Sequence, residues 1–160
     1  MNNPYAAPKA QVEDPARPGE QDVSYAGFWI RLLASIIDSI LVSVVTAPIL
    51  MAIYGRDYFS QAGESLFGGT ANVLISYVFP AVAVVLFWIA RQATPGKMAL
   101  SLKIVDAETF GPLSKGQAIG RYFGYYVSIF GLCLGFLWVA FDPRKQGWHD
   151  KLAGTVVIRS

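Results

Sequence analysis

Charge is scarce in this chain. Of its 160 residues only 15% are charged, while 54% are hydrophobic, and the mean hydropathy is +0.41. Water-soluble domains carry about 25% charged residues, so the composition points to a membrane protein. Cysteine and histidine occur once each. The single Cys133 excludes an intrachain disulfide, and inside an apolar run it reads as a small packing hydrophobe. The single His149 has a neighbouring Asp150 but no further ligands at metal spacing, which argues against a zinc site. There is also no basic patch interleaved with aromatics, so no nucleic-acid partner is expected. No nucleophile–base pair or cofactor loop stands out, and the chain is not read as an enzyme.

The N-terminal stretch has little to bury. MNNPYAAPKAQVEDPARPGEQD holds four prolines and carries Glu13, Asp14, Glu20 and Asp22 against Lys9 and Arg17, a net charge of −2. It has none of the basic, apolar and small-residue regions of a signal peptide. Residues 1–24 read as a disordered cytoplasmic tail, and residues 25–160 as one membrane domain.

What the remainder does have is long apolar runs. Phe28 to Tyr54 exceeds the roughly 20 residues that cross a bilayer core, with Pro48 a kink near its outer end. The connector RDYFSQAGESLFGGT is polar, with Arg56 its only positive charge. A second span covers about Ala71 to Ala90, with Pro80 another candidate kink and Trp88 an interface anchor. Then Arg91, Lys97, Lys103, Lys115 and Arg121 accumulate. Five positive charges after one set this loop, and therefore the N-terminus, in the cytoplasm.

The third run, Tyr122–Phe141, is long enough to cross once. Arg144, Lys145, Lys151 and Arg159 follow it, and a single crossing would put all four outside. A helical hairpin turning near Phe130–Gly135 keeps both flanks inside, and that alternative is favoured. Gly116, Gly120, Gly124, Gly131 and Gly135 make a smooth strip suited to close helix approach and assembly. KIVDAETFGPLS reads as a short hairpin with a strand near Leu102–Val105 and a turn at Phe110–Gly111–Pro112. The β-branched run Thr155–Ile158 is expected to pair with that strand as a small cytoplasmic sheet. The fold class is thus an all-α membrane protein: two transmembrane helices, a third hydrophobic hairpin or span, and a small cytoplasmic β hairpin or sheet.

Within the first span, Arg31, Ser35, Asp38, Ser39 and Thr46 fall within about 100° of one another on the helix. A polar stripe of this kind must face protein or water. Arg31 can snorkel to the headgroups. Asp38, roughly 15 Å along the axis from Phe28, would lie near the midplane, where an ionised Asp costs about 2.5–3.5 kcal/mol. It is protonated, or paired with a cation such as Arg31 or Arg121, or it binds a transported proton or cation. TPGKM (Thr94–Met98) has no upstream glycine of a phosphate loop and follows no strand. Pro95 and Gly96 read instead as the start of an interfacial helix, KMALSL, with Lys97 at the headgroups.

Three segments in order, FWIRLLASIIDSI, ATPGKMALSLKIVD and WHDKLAGTVVI, resemble the RDD family of bacterial membrane proteins, whose name refers to one arginine and two aspartates. The resemblance covers about Tyr25 to Ile158 and places the arginine at Arg31 and the aspartates at Asp38 and Asp150. It implies a multipass protein of the bacterial inner membrane, with sodium/proton exchange attributed to some members. It also singles out Asp150, which on its own reads as a helix cap. On this basis Asp150 would pair with Arg31 at the inner surface, leaving Asp38 alone at depth as the titratable group. The expected function is an ion-coupled transporter or transport subunit using protons or monovalent cations, with Ser35, Ser39 and Arg121 in support. So few spans imply a homo-oligomer. The alternative is a scaffold or accessory protein in which the same charges fix helix packing. No cofactor is expected.

Overall fold

A computed structural model describes residues 23–55 and 70–160. Most of the tail and the connector between the first two spans lie outside the described residues.

Helix α1 runs over Phe28–Tyr54, the bounds expected from hydropathy. Helix α2 runs over Thr70–Arg91. Both are long and apolar enough to cross a membrane. In α2 the backbone absorbs Pro80 with a π-helical turn at Leu74–Val78, where Phe79 N–H reaches Leu74 O. Such turns let a helix accommodate an interrupted ladder without a sharp kink. Asn72 N–H donates to the Tyr54 hydroxyl at 3.0 Å, tying the far ends of the two spans together.

After α2 the chain forms a short helix α3 (Pro95–Ala99) where TPGKM predicted a helix start, with Gly96 and Lys97 buried. Strand β1 (Leu102–Asp106) follows. It pairs antiparallel with β2 (Thr155–Arg159), Leu102 opposite Arg159 and Asp106 opposite Thr155. The expected partnership holds. No second strand follows the turn after β1 among the described residues, however. Asp106 closes that turn instead, accepting from Glu108 N, Thr109 N and the Thr109 hydroxyl. An acid that satisfies a turn in this way removes the need for a returning strand.

The other edge of β2 is taken by the segment leading into α1. Tyr25 bridges to Ile158, and Ala26 N–H donates to Val157 O at 2.9 Å. Alternation along the strands splits the core in two, as the period of a strand requires. Leu102, Ile104 and Val157 join Ala34, Trp88 and Ala118, while Val105 and Val156 join Ala107.

Helix α4 (Lys115–Phe130) starts with a capping box formed by Ser114 and Gln117, which satisfies two of its free N–H groups. Helix α5 (Leu134–Phe141) follows, bent from α4 by 100°. Leu132 and Cys133 at the break have positive φ, and Cys133 is exposed rather than packed. Helix α6 (Trp148–Ala153) then lies back along α4. Trp148 covers Gly131, and His149 covers Gly124. Gln117 Nε2 donates to Gly154 O at 3.2 Å. The chain therefore enters the apolar run and returns to where it began, on the same side as β1, as the hairpin reading requires.

That return takes up three of the five glycines. A Cβ at Gly124 would overlap His149, at Gly131 it would overlap Trp148, and at Gly135 it would overlap Ser128. These three serve packing within the chain, whereas Gly120 faces open space and Gly116 meets only Ser114. Trp88 is also reassigned. It is buried in the core, beneath Arg121 and beside the Tyr125 ring, not anchored at the interface.

Candidate functional site

The first turns of α1 carry Arg31 into a buried knot of charge. Its Nε donates to Ala26 O at 2.9 Å and its Nη1 to Asp150 Oδ2 at 2.6 Å. The other carboxylate oxygen of Asp150 pairs with Arg121 Nη1, one and a half turns into α4. Arg121 Nη1 also donates to the Thr155 hydroxyl at 2.5 Å. Asp150 is 0% exposed and Arg121 1%. Gly147 N–H donates to Asp150 Oδ2 at 2.9 Å, so Asp150 caps α6 and pairs with both arginines at once. Through one carboxylate, helices α1, α4 and α6 are joined.

Burial by itself would push the Asp150 carboxyl up, but the Arg121 and then the Arg31 guanidinium hold it well below the usual carboxylate range. Its neighbour behaves oppositely. His149 is buried between Tyr125, with ring centroids 4.4 Å apart, and Phe136. Desolvation pushes it down to about 3, assisted by Arg121, Arg31 and Lys97 against the opposing pull of Asp150. His149 is therefore neutral at physiological pH.

Asp38 is not alone, and neither arginine is its partner. One of its carboxylate oxygens accepts from the Thr94 hydroxyl at 2.5 Å, and the other from Gly96 N–H at 2.6 Å. Thr94 and Gly96 flank the start of α3, whose first N–H groups have no partner within the helix. Asp38 supplies the cap from a different helix. The approach is close enough that a Cβ on Gly96 would overlap both the Ala34 carbonyl and the Asp38 carboxylate. The segment after α2 packs on Ala34 and Asp38, so one face of the start of α1 is covered by α3, while Trp29, Leu32 and Leu33 stay exposed.

The supporting serines do less than the stripe suggested. The Ser35 hydroxyl donates to Arg31 O at 3.0 Å and that of Ser39 to Ser35 O at 2.9 Å. Both are exposed side chains that satisfy themselves against their own helix. They do not touch the Asp38 carboxylate.

Two cavities meet at this point. One of about 340 Å³ is lined by Ser35, Asp38, Trp88, Thr94, Lys97 and Tyr122, among others. A second of about 500 Å³ has Arg31, Arg121, Lys97 and His149 on its polar side and Phe28, Leu32, Leu137 and Val139 among its apolar walls. Lys97, buried in α3, borders both. The sequence reading set it at the headgroups, whereas the structure buries it. The Thr-Pro-Gly ahead of it, a helix start with a residue that tolerates close approach, was the available signal. Among the described residues no group of three His, Cys, Asp or Glu side chains could hold a metal ion.

Residues 25–154 match the family model described as RDD family, the range that contains Arg31, Asp38 and Asp150. The chain belongs to the RDD family. Among its relatives, "Uncharacterized protein YxaI" of Bacillus subtilis (strain 168) is 35% identical over 83% of this chain and 96% of its own length. "Uncharacterized protein RP437" of Rickettsia prowazekii (strain Madrid E) is 27% identical over 88% of this chain and 99% of that protein. "Uncharacterized membrane protein YteJ" of B. subtilis is 29% identical over 84% of this chain and 81% of that one. No solved structure matches the chain. This RDD-family chain is a membrane protein with two long spans and a bent third segment.

Proposed function

We propose that this RDD-family protein is a subunit of an ion-coupled transporter in which Asp38 exchanges a proton for a monovalent cation. One observation carries the reading. Asp38 is held by neutral donors, a hydroxyl and a peptide N–H, at the edge of a cavity, while Asp150 is clamped between two guanidiniums. A proton or a small cation can compete for the first carboxylate but not for the second. Taking up a proton weakens the cap on α3 and loosens the segment that carries Lys97. Occupancy of Asp38 is thereby coupled to the position of a cation at the cavity wall. In this reading Arg31 does not tune Asp38. It belongs to the frame.

The proposal keeps the N-terminus and the basic connector on the cytoplasmic side of a bacterial inner membrane. It requires a homo-oligomer, since two spans and a returning segment enclose too little to make a path. A second reading, a scaffold without flux, draws support from the Arg31–Asp150–Arg121 network, because a buried charge network of this kind can serve helix packing alone.

Collapse of a pH gradient by Na⁺, K⁺ or Li⁺ in proteoliposomes separates the two. Transport predicts cation-driven collapse by the wild type and its loss in a folded Asp38→Asn variant. No response of the wild type to any of the three ions removes the transport proposal for them and leaves the scaffold. Sidedness is checked by labelling a cysteine placed at Ser160 in a Cys133→Ser background. Labelling from outside the cell would overturn the cytoplasmic assignment of the C-terminus.

A further inference from the structure

The cavity of about 500 Å³ is not used by the exchange at Asp38, yet it is built like a binding site. Its volume lies within the roughly 300–1,000 Å³ of small-molecule pockets. Arg31, Arg121 and Lys97 all border it, and each is more than nine-tenths buried. Two buried donors, Arg31 Nη2 and Arg121 Nε, have no hydrogen-bond partner. An unpaired buried donor is costly, and charged groups are the most costly of all. The charges do not balance either. His149 is neutral, so the three cations face only Asp150, and Asp38 across the neighbouring cavity. One positive charge is left without a counter-charge among these groups.

The rest of the lining has a different character. Leu32 and Leu137 line the cavity and are also exposed on the surface of the protein. A chamber lined both by three cations and by apolar side chains that reach the surface suits a ligand with one negative charge and a hydrocarbon tail.

We infer that this cavity binds the head group of an anionic phospholipid. The phosphodiester accepts hydrogen bonds from Lys97 and from the unpaired guanidinium N–H groups of Arg31 and Arg121, and the acyl chains leave past Leu32 and Leu137 into the bilayer. A phosphodiester carries one negative charge, which matches the imbalance. Charge-assisted hydrogen bonds from guanidinium to phosphate are among the strong ones, and basic pockets between membrane helices are where head groups dock.

The test uses the full chain in nanodiscs of phosphatidylcholine doped with phosphatidylglycerol. Lipids retained after gentle extraction are counted by native mass spectrometry. The wild type is expected to retain phosphatidylglycerol over phosphatidylcholine by about tenfold, the order one charge-assisted contact supplies. Lys97→Gln should abolish the preference with the melting temperature unchanged. Should that variant not fold, Leu137→Trp, which plugs the apolar exit from the surface side, decides the matter by the same loss. Equal retention of the two lipids by the wild type, or a preference that survives these substitutions, overturns the inference. Inorganic phosphate at matched concentration is expected to leave the bound lipid in place. If it displaces the lipid, the cavity is a free-anion site and the lipid assignment falls.

Discussion

Two carboxylates contact the first helix and its surroundings, and the protein treats them in opposite ways. Asp150 is fully buried, holds two arginines and caps its own helix. Asp38 is half-buried and has only a hydroxyl and a peptide N–H for partners. Removing one member of a buried ion pair leaves an uncompensated charge in the interior, so Asp150 cannot change state without cost to the fold. Losing the negative charge of Asp38 weakens two hydrogen bonds from neutral donors and breaks no ion pair. In the proposed reading, what separates a structural carboxylate from an exchangeable one is the charge of its donors. The first sits in a frame, the second on a latch.

The contrast is broken most severely at Asp150. Asp150→Asn leaves Arg31 and Arg121 without an anion and should cost about 3–5 kcal/mol, read as loss of the monodisperse species in detergent and a large drop in melting temperature. Acid attacks the same frame through His149. Its folded value lies near about 3 against the ordinary 6.5, so the unfolded state binds the proton first. The stability it contributes is complete above about pH 6.5 and is lost as the pH falls towards 3. Thermal unfolding should fall steadily between about pH 6.5 and about pH 4, and a His149→Phe variant should flatten that slope. Asp106, held down to about 2 chiefly by the Thr109 N–H, adds a further loss only below about pH 4.

At the latch the effects on stability are smaller. Gly96→Ala forces a methyl against the Ala34 carbonyl and should cost about 1–3 kcal/mol. Asp38→Asn keeps an oxygen acceptor and should cost about 1 kcal/mol while removing all exchange. If instead it unfolds the protein as thoroughly as Asp150→Asn, the distinction between frame and latch fails. Ser39→Ala, at an exposed hydroxyl bonded to its own helix, should stay within about 0.5 kcal/mol and leave transport intact.

Much of the architecture was legible from periodicity and charge. Hydropathy alone bounded α1 at Phe28 and Tyr54, and the β-branched runs at Leu102 and Thr155 identified a sheet whose strands are far apart in the chain. The basic flanks of Tyr122–Phe141 anticipated its return. The partners of Asp38 were not legible. Thr94 and Gly96 lie 56 and 58 residues further along the chain, and helical periodicity relates a side chain only to others on its own helix. The use of Gly124, Gly131 and Gly135 was not legible either, since close approach of helices looks the same whether the partner is another chain or Trp148 of this one. Trp88 was taken for an interface anchor because its position in sequence, near the end of a span, carries no information about the arginine that covers it.

The distance along the chain between Arg31 and Asp150, 119 residues, has a consequence for biosynthesis. At about 5–20 residues per second, some 6–24 s pass between their emergence from the ribosome. During that interval both long helices are made while Arg31 still lacks its anion. A chain that stalls or is cut before Asp150 keeps Arg31 and Arg121 without their shared anion. The segment around Asp150 thus closes a frame whose other members were made earlier.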